Sequence, residues 1–142
     1  MISIIERIEK YSILFYVGGS SYLTVEMFYR GYSYRTMFFA GAIAFLLIGG
    51  INNWLPWKMP FLLQAVIGAV LVTTVELIFG LIFNVWLGYA FWDYSHLPLN
   101  LFGQICALYG LLWVPLSALG IVLDDYLRWL LWRDEKPRYK LF

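Results

Sequence analysis

Charge is scarce in this chain. Only 13% of its 142 residues are charged, and ten basic against nine acidic side chains leave a formal net charge of +1. So even a balance gives no electrostatic basis for binding nucleic acid. Cysteine occurs once, as Cys106, which excludes an intrachain disulfide or a cysteine-based zinc cluster and leaves a small apolar packing residue. Histidine also occurs once, as His96. In a connector, a lone histidine serves as a hydrogen-bonding group more readily than as a ligand. No hydrolase or transferase spacing and no cofactor motif stands out, so no catalytic residue and no cofactor is assigned from the sequence.

What the chain has instead is apolar surface. Hydrophobic residues make up 62% of it, and the mean hydropathy is +0.72, well outside soluble composition. The reading is an all-α, polytopic integral membrane protein in a single domain. Four stretches approach the roughly 20 residues needed to cross a bilayer: residues 11–29, 37–54, 61–85 and 99–123. Arg7, Lys10, Lys58, Arg128, Arg133, Lys136, Arg138 and Lys140 fall on one side of that arrangement, and only Arg30 and Arg35 on the other. The positive-inside rule then puts both termini in the cytoplasm of a multi-pass cell-membrane protein. Glu6 and Glu9 in the first segment, followed by a long apolar span, favour retention of that span over cleavage as a signal peptide. Most tryptophans (54, 57, 86, 92, 129 and 132) lie near span ends, where an amphipathic ring suits the headgroup region.

Carboxylates interrupt the apolar pattern. Thr24-Val25-Glu26 and Thr74-Val75-Glu76 repeat one triplet in the first and third spans, and each span is followed by a Tyr-Ser pair, Tyr32-Ser33 and Tyr94-Ser95. A carboxylate in hydrocarbon is costly unless it is paired, protonated or facing water, so it marks a functional site by default. Both copies start from the cytoplasmic side. The chain therefore reads as two parallel-repeated hairpins, with both glutamates about 22 Å along their helices, in the outer half of the bilayer.

Helical spacing places Gly18, Tyr22, Glu26 and Arg30 on one face of the first span, with Glu26 and Arg30 an i,i+4 pair. In the third span Thr73, Glu76, Gly80 and Asn84 share an arc that cannot face lipid. In the fourth, Asn100, Gly103, Ala107 and Gly110 form a small and polar stripe that lets helices approach closely, and Pro115 is expected to kink the helix. The connector 86–97 has no Lys or Arg and carries Asp93, so it is expected at the interface, closing the acidic cluster from outside. Residues 124–133 put Leu127, Leu130 and Leu131 on one side, which reads as a cytoplasmic interfacial helix or an extension of the fourth span.

The run Glu76-x-x-x-Gly80-x-x-x-Asn84, Trp92-Asp93-Tyr94-Ser95, Asn100, Gly103 and Ile105-Cys106 resembles the CmpB-like family of proteins labelled ABC-transporter permeases. The likeness extends to residues 18–26 and to Met37-Phe38-x-x-Gly41. It implies a four-span fold and marks Glu26, Glu76, Asp93, Asn100 and Gly103 as the positions that match the family pattern. The chain has no Gly-x-x-x-x-Gly-Lys phosphate loop, so any ATPase would be a separate subunit. One departure stands out: where many bacterial members carry an Asn-Arg-Gly and Gly-Pro-rich stretch, this chain reads Gly31-Tyr32-Ser33-Tyr34-Arg35-Thr36.

The candidate polar site thus comprises Glu26, Arg30, Glu76, Asn84, Asp93, Tyr94, His96, Asn100 and Gln104. Three uses stay open. The acids bind an ion or relay protons in transport; they serve, with Asp93 and His96, a membrane enzyme acting on a lipid or phosphate headgroup, by acid/base chemistry or through a divalent metal; or they glue together the helices of an accessory subunit of a larger complex. The bilayer is the certain partner, with a homo-oligomer or a separate membrane or ATPase subunit as further ones.

Overall fold

The computed structural model describes residues 3–140, and these are mostly helical. Helix α1, Ile4–Arg30, starts on a capping box: the Ser3 hydroxyl accepts the Glu6 amide at 3.1 Å while the Glu6 carboxylate accepts the Ser3 amide at 2.8 Å. It stops at Gly31, whose φ of 81° ends the helix without a Cβ penalty. Helix α2, Arg35–Gly49, breaks at Gly50 and resumes as the single turn α3, Ile51–Trp54. Helix α4, Phe61–Phe79, runs on into a π-helical stretch, Gly80–Trp86. Two short strands, β1 (Asn100–Leu101) and β2 (Ile105–Cys106), pair antiparallel, and α5, Ala107–Trp132, closes the chain of elements.

Among the described residues, three helical stretches are long and apolar enough to cross a membrane: Arg35–Trp54, Phe61–Trp86 and Ala107–Trp132. Helix α1 is long enough but more polar, since Gly18-Gly19-Ser20-Ser21 and Glu26 dilute it. Large apolar side chains lie bare on the outside, among them Phe28, Leu111 and Leu119 at 89%, 70% and 68% exposure. Surfaces of that kind suit hydrocarbon rather than water.

Between helices in lipid, close packing replaces the hydrophobic effect as the force of association. Small residues supply it here. Helix α1 packs along α2, α4 along α5, and α2 also faces both α4 and α5. A Cβ built on Gly18 would stand 2.4 Å from Phe45 Cβ, and one on Gly41 2.3 Å from Tyr22 Cβ, so α1 and α2 meet nearly backbone to backbone. Gly68 gives Ser117 the same room between α4 and α5. Buried Ile48, Ile51, Val72, Val75 and Ile121 fill the space among the helices.

One end of the bundle collects the start of α1, the α3–α4 connector and the tail after α5. There Lys10 Nζ meets Asp134 Oδ2 at 2.6 Å, Trp57 Nε1 donates to Glu135 at 2.6 Å, and the Phe61 amide donates to the Lys140 carbonyl at 2.5 Å. The β-hairpin marks the opposite end.

Two sequence expectations change. The fourth helix begins at Ala107, not Leu99, because residues 100–106 turn back on themselves. Phe102 and Gly103 sit at φ of 55° and 72°, and the Asn100 side chain accepts the Gly103 amide at 3.0 Å while donating to the Leu97 carbonyl at 2.8 Å. Positive φ at both central residues is the geometry of a tight hairpin turn. Asn100 and Gly103 therefore lie on a turn and form no helical stripe with Ala107 and Gly110; Ala107 is exposed, and nothing lies within 4 Å of a Cβ at Gly110. At its other end α5 runs unbroken through residues 124–132, past Pro115, so this segment is an extension of the helix and not a separate interfacial one. Asp124, Asp125 and Arg128 on it are buried.

Candidate functional site

Near the hairpin end, α1 and α4 bring their glutamates to one chamber. Each triplet is locally alike: Thr24 Oγ1 donates to the Ser20 carbonyl and Thr74 Oγ1 to the Val70 carbonyl, both at 2.8 Å, which turns each threonine onto its own helix and away from the chamber. The glutamates then differ in their partners. Glu26 is held within its helix, accepting Tyr22 Oη at 2.5 Å and Arg30 Nε at 2.9 Å, with Arg30 Nη2 on the same carboxylate oxygen as Nε. Glu76 is held by neutral donors from other elements: Tyr94 Oη at 3.0 Å and Trp113 Nε1 at 3.3 Å. So Glu26 has a cation and Glu76 has none. Burial and the adjoining Glu76 carboxylate hold the Tyr94 hydroxyl far above its ordinary pKa, so Tyr94 stays a donor throughout the physiological range.

Aromatic rings link these groups into a belt. Tyr22 and Trp113 lie 6.1 Å apart between centroids, Tyr94 stacks on Tyr109 at 4.7 Å, and the Tyr109 and Tyr29 hydroxyls meet at 2.9 Å. The belt thus returns to α1, one turn from Glu26. The cavity between them measures about 140 Å³ and is bordered by Glu26, Arg30 and Glu76 among these rings.

Asn84 and Gln104 form a second network beside the chamber. The Asn84 amide donates to Gln104 Oε1 at 2.8 Å and accepts the Phe91 amide at 2.6 Å, while Trp92 Nε1 donates to the Gln104 carbonyl at 2.9 Å. This network anchors the connector onto the π-helical end of α4, where Gly80 lets Gln104 approach. By fixing Trp92 it also sets the position of Tyr94 two residues on.

Asp93, Asn100 and His96 lie outside the chamber. Asp93 is exposed and accepts the Ser95 amide at 2.9 Å; the Ser95 hydroxyl and amide together hold its carboxyl below the usual range. Its Oδ1 lies 2.9 Å from where a Cβ on Gly103 would be, so Asp93 and the hairpin turn fit together. Gly103→Ala should cost about 1–2 kcal/mol from its positive φ alone, and more because the new methyl displaces Asp93. Gly88 has the same φ of 72° and open space around it, so Gly88→Ala isolates the backbone part. Thermal unfolding in detergent should rank Gly103→Ala below Gly88→Ala; equal midpoints would mean that the Asp93 contact contributes nothing. His96 is exposed.

Sequence reasoning found Tyr22 on the Glu26 face but missed Trp113 and Tyr109, which reach the site from α5 with no spacing signal to link them to it. It also missed a buried polar cluster at the opposite end. There Arg128 Nε donates to Asp124 Oδ2 at 2.7 Å, and Asp125 Oδ2 accepts Asn52 at 2.7 Å and Tyr139 at 2.8 Å. Among the described residues no group of three or more His, Cys, Asp or Glu side chains is placed to hold a metal ion.

A family match spans the chamber and the far-end cluster apart from Tyr139. A family model of the CmpB type, described as "Putative ABC-transporter type IV", matches residues 11–132. The chain belongs to this family. With apolar helices of membrane length it is a membrane protein, and the transporter description that its family carries is a setting that a separate ATPase subunit fits. No curated protein and no solved structure matches it.

Proposed function

We propose that the chain is a permease-type component of a membrane transporter whose outer-half acidic chamber is its ligand-handling or proton-handling site. The convergence of Glu26, Arg30, Glu76 and Tyr94 on one aromatic-walled cavity supports this reading. Glu76 carries the argument. A carboxylate held by two neutral donors, with the neighbouring arginine committed to Glu26, can exchange a proton or accept a cation without first breaking an ion pair.

In this reading all four long helices span the bilayer, α1 included, as two parallel hairpins, α1–α2 and α4–α5. Lys58, Arg128 and the basic tail share one end with the N-terminal segment, which the positive-inside rule assigns to the cytoplasm. The matching threonine bonds of the two triplets support the repeat, although the partners of the two glutamates differ. The chain's own helices supply the site, and a separate subunit supplies ATP hydrolysis. An enzyme reading has less geometric support, since Asp93 and His96 stand outside the chamber.

Proteoliposomes carrying the protein and an internal pH dye test the proposal. The wild-type chain should collapse an imposed pH gradient at least tenfold faster than Glu76→Gln, which keeps the shape and much of the hydrogen bonding of the side chain. An equal rate in the two would remove Glu76 from the mechanism.

A further inference from the structure

A second cavity adjoins the chamber and shares part of its wall. An apolar crevice of about 210 Å³ begins at Tyr22, Glu76 and Trp113, shared with the chamber, and continues toward the opposite end between Gly18 and Ser21 of α1 and Gly120 and Leu123 of α5. Along α5 the stretch from Trp113 to Leu123 is about 15 Å at 1.5 Å per residue, room for a fatty chain. Among the described residues, aromatic, cation–π and ionic pairs join α1 and the α5 arm at two levels. Tyr29–Tyr109 and Tyr22–Trp113 join them near the chamber; Tyr11–Arg128, Lys10–Trp132 and Lys10–Asp134 join them at the far end. Between these clasps the crevice is bordered by Leu119, 68% exposed, so it faces the surrounding lipid.

A long apolar slot ending in a carboxylate without a counter-charge, walled by aromatic rings, has the shape and charge of one class of ligand. We infer that the crevice and chamber together bind an amphiphilic organic cation, its ammonium head among Trp113, Tyr94 and Tyr22 beside Glu76 and its chain along α5, entering sideways from the bilayer. Cationic heads are stabilised by the faces of tryptophan and tyrosine, and the remaining negative charge adds to this. An anionic head meets the opposite field, because both Arg30 contacts that lie within the chamber go to Glu26. The inference rests on the chamber being the site at which the permease handles its ligand.

Equilibrium dialysis of tritiated dodecyltrimethylammonium against the purified chain in maltoside micelles, with protein-free micelles subtracted, measures it directly. Binding should saturate, fall at least tenfold in Glu76→Gln and several-fold in Trp113→Phe, and resist displacement by dodecyl sulfate. Gly120→Leu, whose side chain would enter the crevice against Ile48, should weaken the dodecyl ligand more than its hexyl homologue. No saturable excess over empty micelles, equal displacement by dodecyl sulfate, or unchanged binding in Glu76→Gln would each overturn the assignment. Glu76-dependent proton flux without such binding would refute the amphiphile alone; binding with no Glu76-dependent flux would leave the ligand site and refute the permease reading.

Discussion

Replacing Arg128 with methionine should destabilise the protein by about 3–5 kcal/mol, the range for removing one partner of a buried ion pair. The pair is almost fully enclosed, with the Arg128 and Asp124 side chains 4% and 0% exposed. Asp124 is wedged against Gly49, where a Cβ would stand 2.3 Å from its carboxyl carbon, so it has no room to turn toward water. Its Oδ1 already lacks a hydrogen-bond partner. Without the guanidinium, the buried Asp124 carboxylate loses its direct ion-pair partner while staying out of water. The double variant Asp124→Leu with Arg128→Met should recover most of the loss, since well-packed apolar replacements of a buried pair are often neutral. Denaturant titration in mixed micelles would check both. A single variant within about 1 kcal/mol of wild type would mean that the pair is wet rather than buried.

The second large effect is expected at Gly41. Leucine there would drive into Tyr22 Cβ, the rigid base of a side chain, so α1 and α2 must separate; overpacking of this kind costs about 1–3 kcal/mol and occasionally more. The consequence reaches the chamber. Tyr22 Oη holds Glu26 and its ring faces Trp113, which in turn holds Glu76. Gly41→Leu should therefore lower the thermal midpoint and also slow the Glu76-dependent collapse of a pH gradient, although Gly41 has no polar atom beyond its backbone. Gly110→Leu is the control: with nothing within 4 Å of a Cβ at Gly110, both readouts should stay near wild type. If Gly41→Leu proves as mild as that control, α1 and α2 are not locked at this point.

How much of this was legible in the sequence follows from the range of each interaction. Glu26 and Arg30 are one turn apart, and i,i+4 geometry alone joins them. For Glu76 the repeated triplet and a count of residues along two helices indicate only a similar height in the membrane, not a meeting with that pair. Its partners are beyond such a count: Trp113 lies 37 residues from Glu76 in the chain, and helix–helix packing selects it from several equally apolar candidates. The hairpin at 100–106 was hidden for another reason. Leu-Asn-Leu-Phe-Gly-Gln-Ile-Cys has the hydropathy of a helix start, and the Asn100–Gly103 bond that turns it back is a local side-chain contact to which a hydropathy reading is blind. At the other end, Asp124, Asp125 and Arg128 are visible as charges, and their place beside three leucines fits either an interfacial helix or an extension of the fourth span. The donors that Asn52 and Tyr139 bring to Asp125 come from outside α5, beyond what helical spacing can show.

The two clasps between α1 and α5 have a mechanical meaning. Fastened near the chamber and again at the far end, the two helices bound the crevice as the walls of a slot whose ends cannot drift apart without breaking an aromatic, cation–π or ionic contact.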